Sequence, residues 1–163
     1  MNFQSVMPAA TLDVSVIIVN YNTAHLLPEM WQCLQGAFDQ LQVETIIVDN
    51  ASRDDSISVI KSVCPDATLI CNTTNVGFGR ANNQALPHVN GRYVLLLNTD
   101  AFVSADTLTK TVAHMDNHPS VGVLGVKLVG RDGQMQPCCR YFPTPWNLFV
   151  AKSGLKRFLP AVQ

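Results

Sequence analysis

The sequence has little charge and no long apolar segment. Its 163 residues carry a formal net charge of -1, and only 14% of them are charged. No overall field therefore recruits nucleic acid or an anionic membrane. The longest apolar runs have about five residues, far short of the ~20 needed to cross a bilayer. With 47% hydrophobic residues, the composition is typical of a well-packed globular domain and not of a disordered chain.

The cysteines are too irregularly spaced for a disulfide framework or a zinc site. They are odd in number and include no Cys-x-x-Cys. They are Cys33, Cys64, Cys71, Cys138 and Cys139. The first residues also lack the basic and apolar regions of a secretory signal. We therefore expect a loosely held leader over residues 1–13 and a reducing, cytoplasmic environment, with the inner face of the membrane as an alternative location.

Common catalytic signatures are missing as well. The chain contains no P-loop and no Gly-x-Ser-x-Gly elbow. Gly77-x-Gly79 lacks the third glycine of a dinucleotide fingerprint and does not follow the first strand. The histidines show no metal-ligand spacing, and we interpret them as surface or satisfied side chains. They are His25, His88, His114 and His118.

Alternating strand and helix patterns predict the fold class. Continuous apolar or β-branched runs predict strands at 14–19, 43–48, 68–71, 93–97 and 121–129. Apolar residues at spacings of three and four predict intervening helices that begin near Leu27, at Asp54 or Asp55, at Ala81 and near Ala105. This order predicts a three-layer α/β fold with a mostly parallel sheet.

Three details of this assignment are specific enough to test. The first helix should carry one apolar face through Leu27, Met30, Leu34, Phe38 and Leu41. The run 93–97 should be covered on both faces, as in the middle of a parallel sheet. Residues 131–133 (Arg-Asp-Gly) should form a turn.

Polar residues follow three of the predicted strands directly. They are Asn20-Tyr21-Asn22, Asp49-Asn50 and Asn98-Thr99-Asp100. Ligands of open α/β sheets bind beyond the carboxyl ends of the strands, so we expect these residues to line one crevice. Two carboxylates there would repel each other unless a cation or a ligand donor lay between them.

A nucleoside diphosphate with a bound cation satisfies both carboxylates. Asp49 can accept the imide N–H of uracil or thymine, and Asp100 can hold a divalent ion on the phosphates. Arg80 opens a helix after a glycine-containing loop, where backbone N–H groups and a guanidinium can meet an anion. On local grounds a second interpretation of Asp100 stays open, as the cap of a helix that begins around Ser104 or Asp106.

Four motifs in order resemble family 2 glycosyltransferases, enzymes of the GT-A fold. They are residues 16–22, 48–54, 75–83 and 95–100, and the likeness runs from about residue 14 to 145. Within that family the pattern is similar to the rhamnosyltransferase-like branch, which builds bacterial surface polysaccharides. The segment 132–143 resembles the same branch. The resemblance implies a GT-A domain over residues 14–145 and the start of an acceptor-side region over 146–163.

The resemblance also assigns roles to individual residues. Asp49 would bind the base, Arg80 would lie beside the diphosphate, and Asp100 would bind Mg²⁺ or Mn²⁺ as the last residue of an Asp-x-Asp motif whose first position is Asn98 here. The implied nucleotide-sugar contacts are Val19, Asn20, Tyr21, Asn22, Asp49, Asn50, Ala51, Asn75, Gly77, Phe78, Arg80, Asn83, Asn98 and Thr99. An amide is a poorer ligand than a carboxylate for a hard cation.

The implied activity is inverting transfer of a sugar from a UDP- or dTDP-sugar, with dTDP-rhamnose as one candidate, to a polysaccharide or lipid-linked acceptor. No carboxylate follows Asp132, and the resemblance places the catalytic base beyond Gln163. We therefore assign no catalytic residue within the chain and expect donor binding with little or no transfer. The alternative is a non-catalytic binding or interaction module with the same fold.

The tail from Pro143 to Gln163 has a different pattern. Basic residues alternate there with the apolar residues Trp146, Phe149, Val150, Leu155, Phe158 and Leu159. Such a segment can lie on a membrane surface or dock on a partner, including a second copy of the chain. We favour the other interpretation, in which these apolar residues belong to a core whose other half is absent.

Overall fold

The computed structural model describes residues 12–130, 132–136, 144, 145 and 153. The chain divides into two compact units, Met1–Gly122 and Val123–Gln163. Within the described ranges, no helix is both long and apolar enough to cross a membrane. Almost all of the apolar tail over residues 146–159, and the 137–143 part of the 132–143 motif, lie outside the described residues.

The first unit alternates strands and helices in the predicted order. Its elements are β1 (Val14–Asn20), α1 (Leu27–Gly36), β2 (Val43–Asp49), α2 (Ser56–Val63), β3 (Thr68–Cys71), α3 (Phe78–Ala85), a 3-10 helix (Leu86–His88), β4 (Tyr93–Asn98) and α4 (Thr107–Asn117). The four strands form one parallel sheet in the order β3-β2-β1-β4. The predicted α/β class is confirmed.

Apolar clusters cover both faces of this sheet. The larger cluster joins β1 and β2 to side chains of α1, α2 and α4, among them Leu34, Ile60 and Leu108. The smaller cluster packs Ala81 and Ala85 of α3 on the opposite face. Because β1 is buried from Val14 to Ile18, its unbroken β-branched run contributes to both clusters. Each such side chain stabilises the fold by about 1.5–3 kcal/mol.

The expectation that β4 is covered on both faces is wrong. β4 pairs with β1 alone, at one edge of the described sheet. Tyr93, Leu95 and Leu97 pack against the larger cluster. Val94 and Leu96, which point the other way, are 44% and 54% exposed. The continuous apolar run therefore predicts the strand correctly, but it does not indicate whether one face or both faces are covered.

Helix boundaries differ from the periodic pattern by a few residues. α1 ends at Gly36, although Phe38 and Leu41 still pack against the core. Beyond this end, Asp39 adopts a left-handed conformation (φ 45°), which is incompatible with an α-helix that continues to Leu41. α2 and α4 begin at Ser56 and Thr107, slightly later than predicted.

The second unit contains a short hairpin. β5 (Leu128–Val129) pairs antiparallel with β6 (Met135–Gln136), so only the last two residues of the predicted strand 121–129 are assigned to a strand. Of the predicted turn over residues 131–133, Arg131 lies outside the described residues. Gly133 is in a turn, because its backbone amide donates to the Gly130 carbonyl at 2.9 Å and its φ is 77°. That left-handed conformation suits glycine.

The cysteines in the described part of the chain are free thiols. They are Cys33, Cys64 and Cys71. Burial raises the pKa of the Cys64 thiol to about 12, so that side chain packs as a small apolar residue and stays protonated.

Candidate functional site

The sheet brings three of the predicted polar clusters to one edge. β2 and β4 flank β1 in parallel, so the carboxyl ends of all three strands lie side by side. Asn20 is the register partner of Asp49, and Val19 is that of Asn98. Neighbouring strands are spaced by ~4.8 Å. The ends of β2 and β4 therefore lie roughly 10 Å apart, with the end of β1 between them.

A buried polar centre joins the ends of β1 and β2. The Asn20 Nδ2 donates to Asp49 Oδ1 at 2.7 Å, and the Ser52 amide donates to Asp49 Oδ2 at 3.0 Å. Both Asn20 and Asp49 are wholly buried. In this conformation the Asp49 carboxylate is held by the protein itself. Its predicted contact with a base stays a prediction.

The loops after β1 and β2 are tied together by side chains. The backbone amide of Asn22 donates to the Ser52 hydroxyl, and the backbone amide of Arg53 donates to Asn22 Oδ1 at 2.7 Å. Asn22 and Ala51 both adopt left-handed conformations, with φ of 55° and 67°. For a non-glycine residue this conformation costs on the order of 1 kcal/mol, a strain that is often found at functional sites.

Asp54 adds a second tie between the same loops. Its carboxylate accepts the Ser56 hydroxyl and amide, and it accepts the Ala24 amide at 3.0 Å. These hydrogen bonds, chiefly that from the Ser56 hydroxyl, hold the pKa of Asp54 below its usual range. Asp54 therefore connects the loops that follow β1 and β2 through protein groups alone.

A hydroxyl pair connects the β1 loop to the end of β4. The Thr23 hydroxyl donates to Asn20 Oδ1 at 2.6 Å and lies 3.0 Å from the Thr99 hydroxyl. Thr99 is buried, whereas its neighbours Asn98 and Asp100 are exposed. The contact fixes the turn that presents Asp100.

Amide side chains line the loop between β3 and α3. Asn50 donates to Asn75 Oδ1 at 2.8 Å and accepts from Asn72 Nδ2 and from the Val76 amide. Asn72 Nδ2 also donates to Gln84 Oε1 at 2.9 Å. These uncharged groups hold the loop against the end of β2.

The start of α3 presents free donors. Gly77 precedes the helix with φ 85°, and no side chain caps the first turn. Arg80 is exposed and has no ion-pair or hydrogen-bond partner within the described part of the chain. Unpaired amides at a helix start and a guanidinium beside them suit an anion. Phe78 is 53% exposed at the same end.

Two adjacent asparagines of α3 differ in environment. Asn83, a predicted contact, is exposed. Asn82 is buried and donates to the Phe78 carbonyl at 2.9 Å, but its Oδ1 has no partner among the described residues. An unpaired buried acceptor is unfavourable by about 1–3 kcal/mol until a donor reaches it.

Asp100 does not cap a helix. α4 begins seven residues later, at Thr107, with Asp106 in the cap position. The interpretation of Asp100 as a helix cap is therefore wrong. Its exposed carboxylate has no partner in the described residues. No cluster of three or more metal-binding side chains occurs among them either. One carboxylate with a nearby amide fits Mg²⁺ or Mn²⁺ that shares substrate phosphates and water, since such ions use few protein ligands.

Sequence reasoning missed the residues that tie this site together. Thr23, Ser52 and Asn72 make the contacts between loops, yet none of them was a candidate. The sequence does contain a signal that could have identified Asn72 as a site residue, since it follows β3 directly, as the other polar residues follow their strands. The Thr23–Thr99 contact had none, because it joins residues 76 positions apart.

A family profile described as "Glycosyl transferase family 2" matches residues 15–151. The chain belongs to glycosyl transferase family 2. Among curated proteins, the poly(ribitol-phosphate) beta-N-acetylglucosaminyltransferase TarS of Staphylococcus aureus is 28% identical over 130 residues. The match covers 77% of this chain and 22% of TarS.

Solved structures with this fold support the same family. S. aureus TarS 1-349 in complex with UDP matches with a TM-score of 0.61 and 25% identity, over 66% of this chain and 33% of that one. The mannosyltransferase PcManGT from Pyrobaculum calidifontis, in complex with GDP-Man and Mn²⁺, matches with a TM-score of 0.58 and 32% identity, over 63% of this chain and 32% of that one. The fold is GT-A, and this chain spans only a fraction of the length of these proteins.

Proposed function

We propose that this chain binds the nucleotide-sugar donor of an inverting family 2 glycosyltransferase that builds a bacterial surface polysaccharide. The observation that carries the proposal is the shared edge of β1, β2 and β4, which ends in exposed Asp100. Within the described part of the chain, neither Asp100 nor the exposed Arg80 of α3 has a hydrogen-bond or ion-pair partner. The base would lie at the ends of β1 and β2, where Asp49 would bind it and Tyr21 and Asn50 would lie beside it. The diphosphate would lie between Asp100 and the start of α3.

The charges of the site suit a leaving diphosphate. A bound Mg²⁺ or Mn²⁺ at Asp100 and Asn98 would neutralise part of its negative charge. Arg80 would donate to the phosphate oxygens, and its planar guanidinium can form two parallel hydrogen bonds there. TarS crystallised with UDP and with UDP-GlcNAc supports a uridine donor. The structure of PcManGT in complex with GDP-Man and Mn²⁺ supports the choice of ion.

Within this function we further propose a UDP- or dTDP-hexose or dTDP-rhamnose as donor and a polysaccharide or lipid-linked acceptor. The names of relatives support such an acceptor: TarS acts on poly(ribitol-phosphate), and a 26% identical Rhizobium meliloti protein is a succinoglycan biosynthesis protein. We assign the role of catalytic base to no residue of this chain. Donor binding, and not sugar transfer, is the property to measure.

Calorimetry with UDP, dTDP and GDP, each with and without Mn²⁺, tests the proposal. UDP and dTDP should bind more tightly than GDP, and Mn²⁺ should strengthen binding. Asp100→Asn should remove the gain from Mn²⁺ and leave metal-free binding intact. Asp66→Asn is the matched control, because Asp66 is an exposed carboxylate just before β3, at the opposite end of the strands.

Arg80 gives an independent arm of this test. Arg80→Ala should weaken UDP binding about 10- to 100-fold, the range expected for a hydrogen bond to a charged group. Arg80→Lys should recover part of the loss, because the charge remains while the forked geometry is gone. No binding of any nucleotide by the wild-type chain would instead favour a non-catalytic interaction module.

A further inference from the structure

Two histidines stack at the C-terminal end of α4, away from the predicted donor residues in sequence. His114 lies in the last turn of the helix, and His118 is the residue that ends it. Their ring centroids are 4.2 Å apart and their planes differ by 21°. Both side chains are exposed. Residues four apart on a helix share one face, so both rings can reach the same ligand.

One of the rings is oriented by the backbone. His118 Nδ1 lies 2.9 Å from the His114 carbonyl oxygen. Because a carbonyl only accepts hydrogen bonds, Nδ1 carries the proton, and in the neutral ring Nε2 keeps its lone pair. A ring N–H donated to a backbone carbonyl is the usual outer arrangement of metal-binding histidines, since it fixes both tautomer and ring direction.

We propose that His114 and His118 form a binding site for a divalent transition metal such as Zn²⁺, Ni²⁺ or Cu²⁺. Imidazole nitrogen suits these ions, whereas Mg²⁺ and Mn²⁺ prefer oxygen ligands such as Asp100. Zinc binds histidine nitrogen at about 2.0–2.1 Å, and two histidines four residues apart on one helix face can be ligands of a single ion. No third metal-binding side chain converges here in the described residues, so water completes the coordination.

The position of the pair favours a cation in two further ways. Carbonyl groups at a helix C-terminus carry partial negative charge, which attracts a bound ion. The His118 carbonyl also accepts the Val121 amide at 2.9 Å, so His118 belongs to the next turn of the chain as well as to the helix. A bound ion would therefore join two side chains at the point where the chain turns away from α4. Asp116 does not compete, because it is engaged by Arg92 and Tyr93.

Calorimetric titration of the full chain with Ni²⁺ or Zn²⁺, in excess Mg²⁺, tests this site. Thiolates bind these ions strongly, so Cys33, Cys71, Cys138 and Cys139 are replaced by serine in every protein compared. We expect one ion per chain. His114→Phe keeps a stacked ring but removes the ligand nitrogen, and it should weaken binding at least ~10-fold, the smallest loss seen when metal-site geometry is disturbed. His118→Asn should have a similar effect, and His88→Ala should have none.

Thermal unfolding gives a second readout that a change in folding alone would not produce. Ni²⁺ should raise the melting temperature of the wild-type chain and of His88→Ala, because an ion that binds only the folded state stabilises it. It should leave the melting temperature of His114→Phe unchanged. Failure of the wild-type chain to bind either ion would overturn the proposal. A double variant that lacks both His114 and His118 and still binds the ion as tightly as the wild-type chain would overturn it too.

Discussion

Asn20 and Asp49 end neighbouring strands, and the Asn20 Nδ2 donates to Asp49 Oδ1 across the sheet at 2.7 Å. Both side chains are wholly buried. A buried carboxylate is tolerated only when its oxygens are satisfied, and here each one accepts a hydrogen bond from the protein. The pair therefore joins the ends of β1 and β2 through protein groups alone.

Removal of the Asn20 amide should destabilise the whole first unit. Asn20→Ala leaves Asp49 Oδ1 without its donor, and we expect a loss of about 1–3 kcal/mol in the free energy of unfolding, measured with urea. Asn20→Asp should cost more, since it sets a second carboxylate against the first. Thr73→Ala, at an exposed loop position, is the control. A stability for Asn20→Ala equal to that of the control would contradict the buried pair.

The strands could be predicted from sequence because their signal is local. β1, β2 and β3 are β-branched or aliphatic runs that stop at Asn or Asp, and their observed bounds lie within one residue of the predicted ones. Helix ends were less predictable. Phe38 and Leu41 continue the apolar period of α1 because they are partly buried, although neither is helical. Periodicity reports which side chains face the core, and only indirectly how the backbone runs.

The site was predictable in position but not in its connections. A parallel sheet sets Asp49, Asn98 and Asp100 at one edge whatever the loops do. Sequence does not reveal that Asp49 is buried while Asp100 is exposed, because that difference depends on which loop folds over each strand end. The left-handed conformation of Ala51 could not be predicted from the sequence either, since alanine does not favour such a conformation.

Gly91 should tolerate no side chain. A Cβ at this position would lie 2.5 Å from the Ser15 amide nitrogen and 2.7 Å from the Val14 carbonyl carbon. Both are backbone atoms of the central strand, so Gly91→Ala should lower the free energy of unfolding by about 1–3 kcal/mol. Gly36→Ala is the matched control, because nothing lies within 4 Å of a Cβ there. It should be neutral or stabilise α1 by up to ~1 kcal/mol.

Glu44 should contribute stability that disappears in acid. Partial burial acts to raise its pKa, but hydrogen bonds from the Ser15 hydroxyl and from Asn90 outweigh burial and hold the pKa below its ordinary value of 4.5. A carboxyl whose pKa is lower in the folded state stabilises the fold above the unfolded-state pKa. That contribution is lost as the pH falls from about 4.5 through the folded-state pKa.

Replacement of this carboxylate separates its effect from general acid unfolding. Glu44→Gln should lower the free energy of unfolding by about 1 kcal/mol at pH 7, a small value because the side chain is partly exposed. The variant should also lose less stability than the wild-type chain as the pH falls below 4.5. Urea titrations at a series of pH values measure both effects. Asp66→Asn, which alters an exposed carboxylate without a hydrogen-bond partner in the described residues, should leave the curve unchanged. An unaltered curve for Glu44→Gln would show that its hydrogen bonds carry no net stabilisation.

Leu96 and Leu97 are neighbours on β4 with opposite environments, and they test the one-sided burial of this strand. Leu97 is 6% exposed and Leu96 is 54% exposed. Leu97→Ala should therefore lower the free energy of unfolding by about 2–5 kcal/mol, because it leaves a cavity in the larger cluster. Leu96→Ala should change it by no more than about 0.5 kcal/mol. Equal losses for the two variants would mean that the outer face of β4 is covered in solution, and the expectation of a strand buried on both faces would then be right after all.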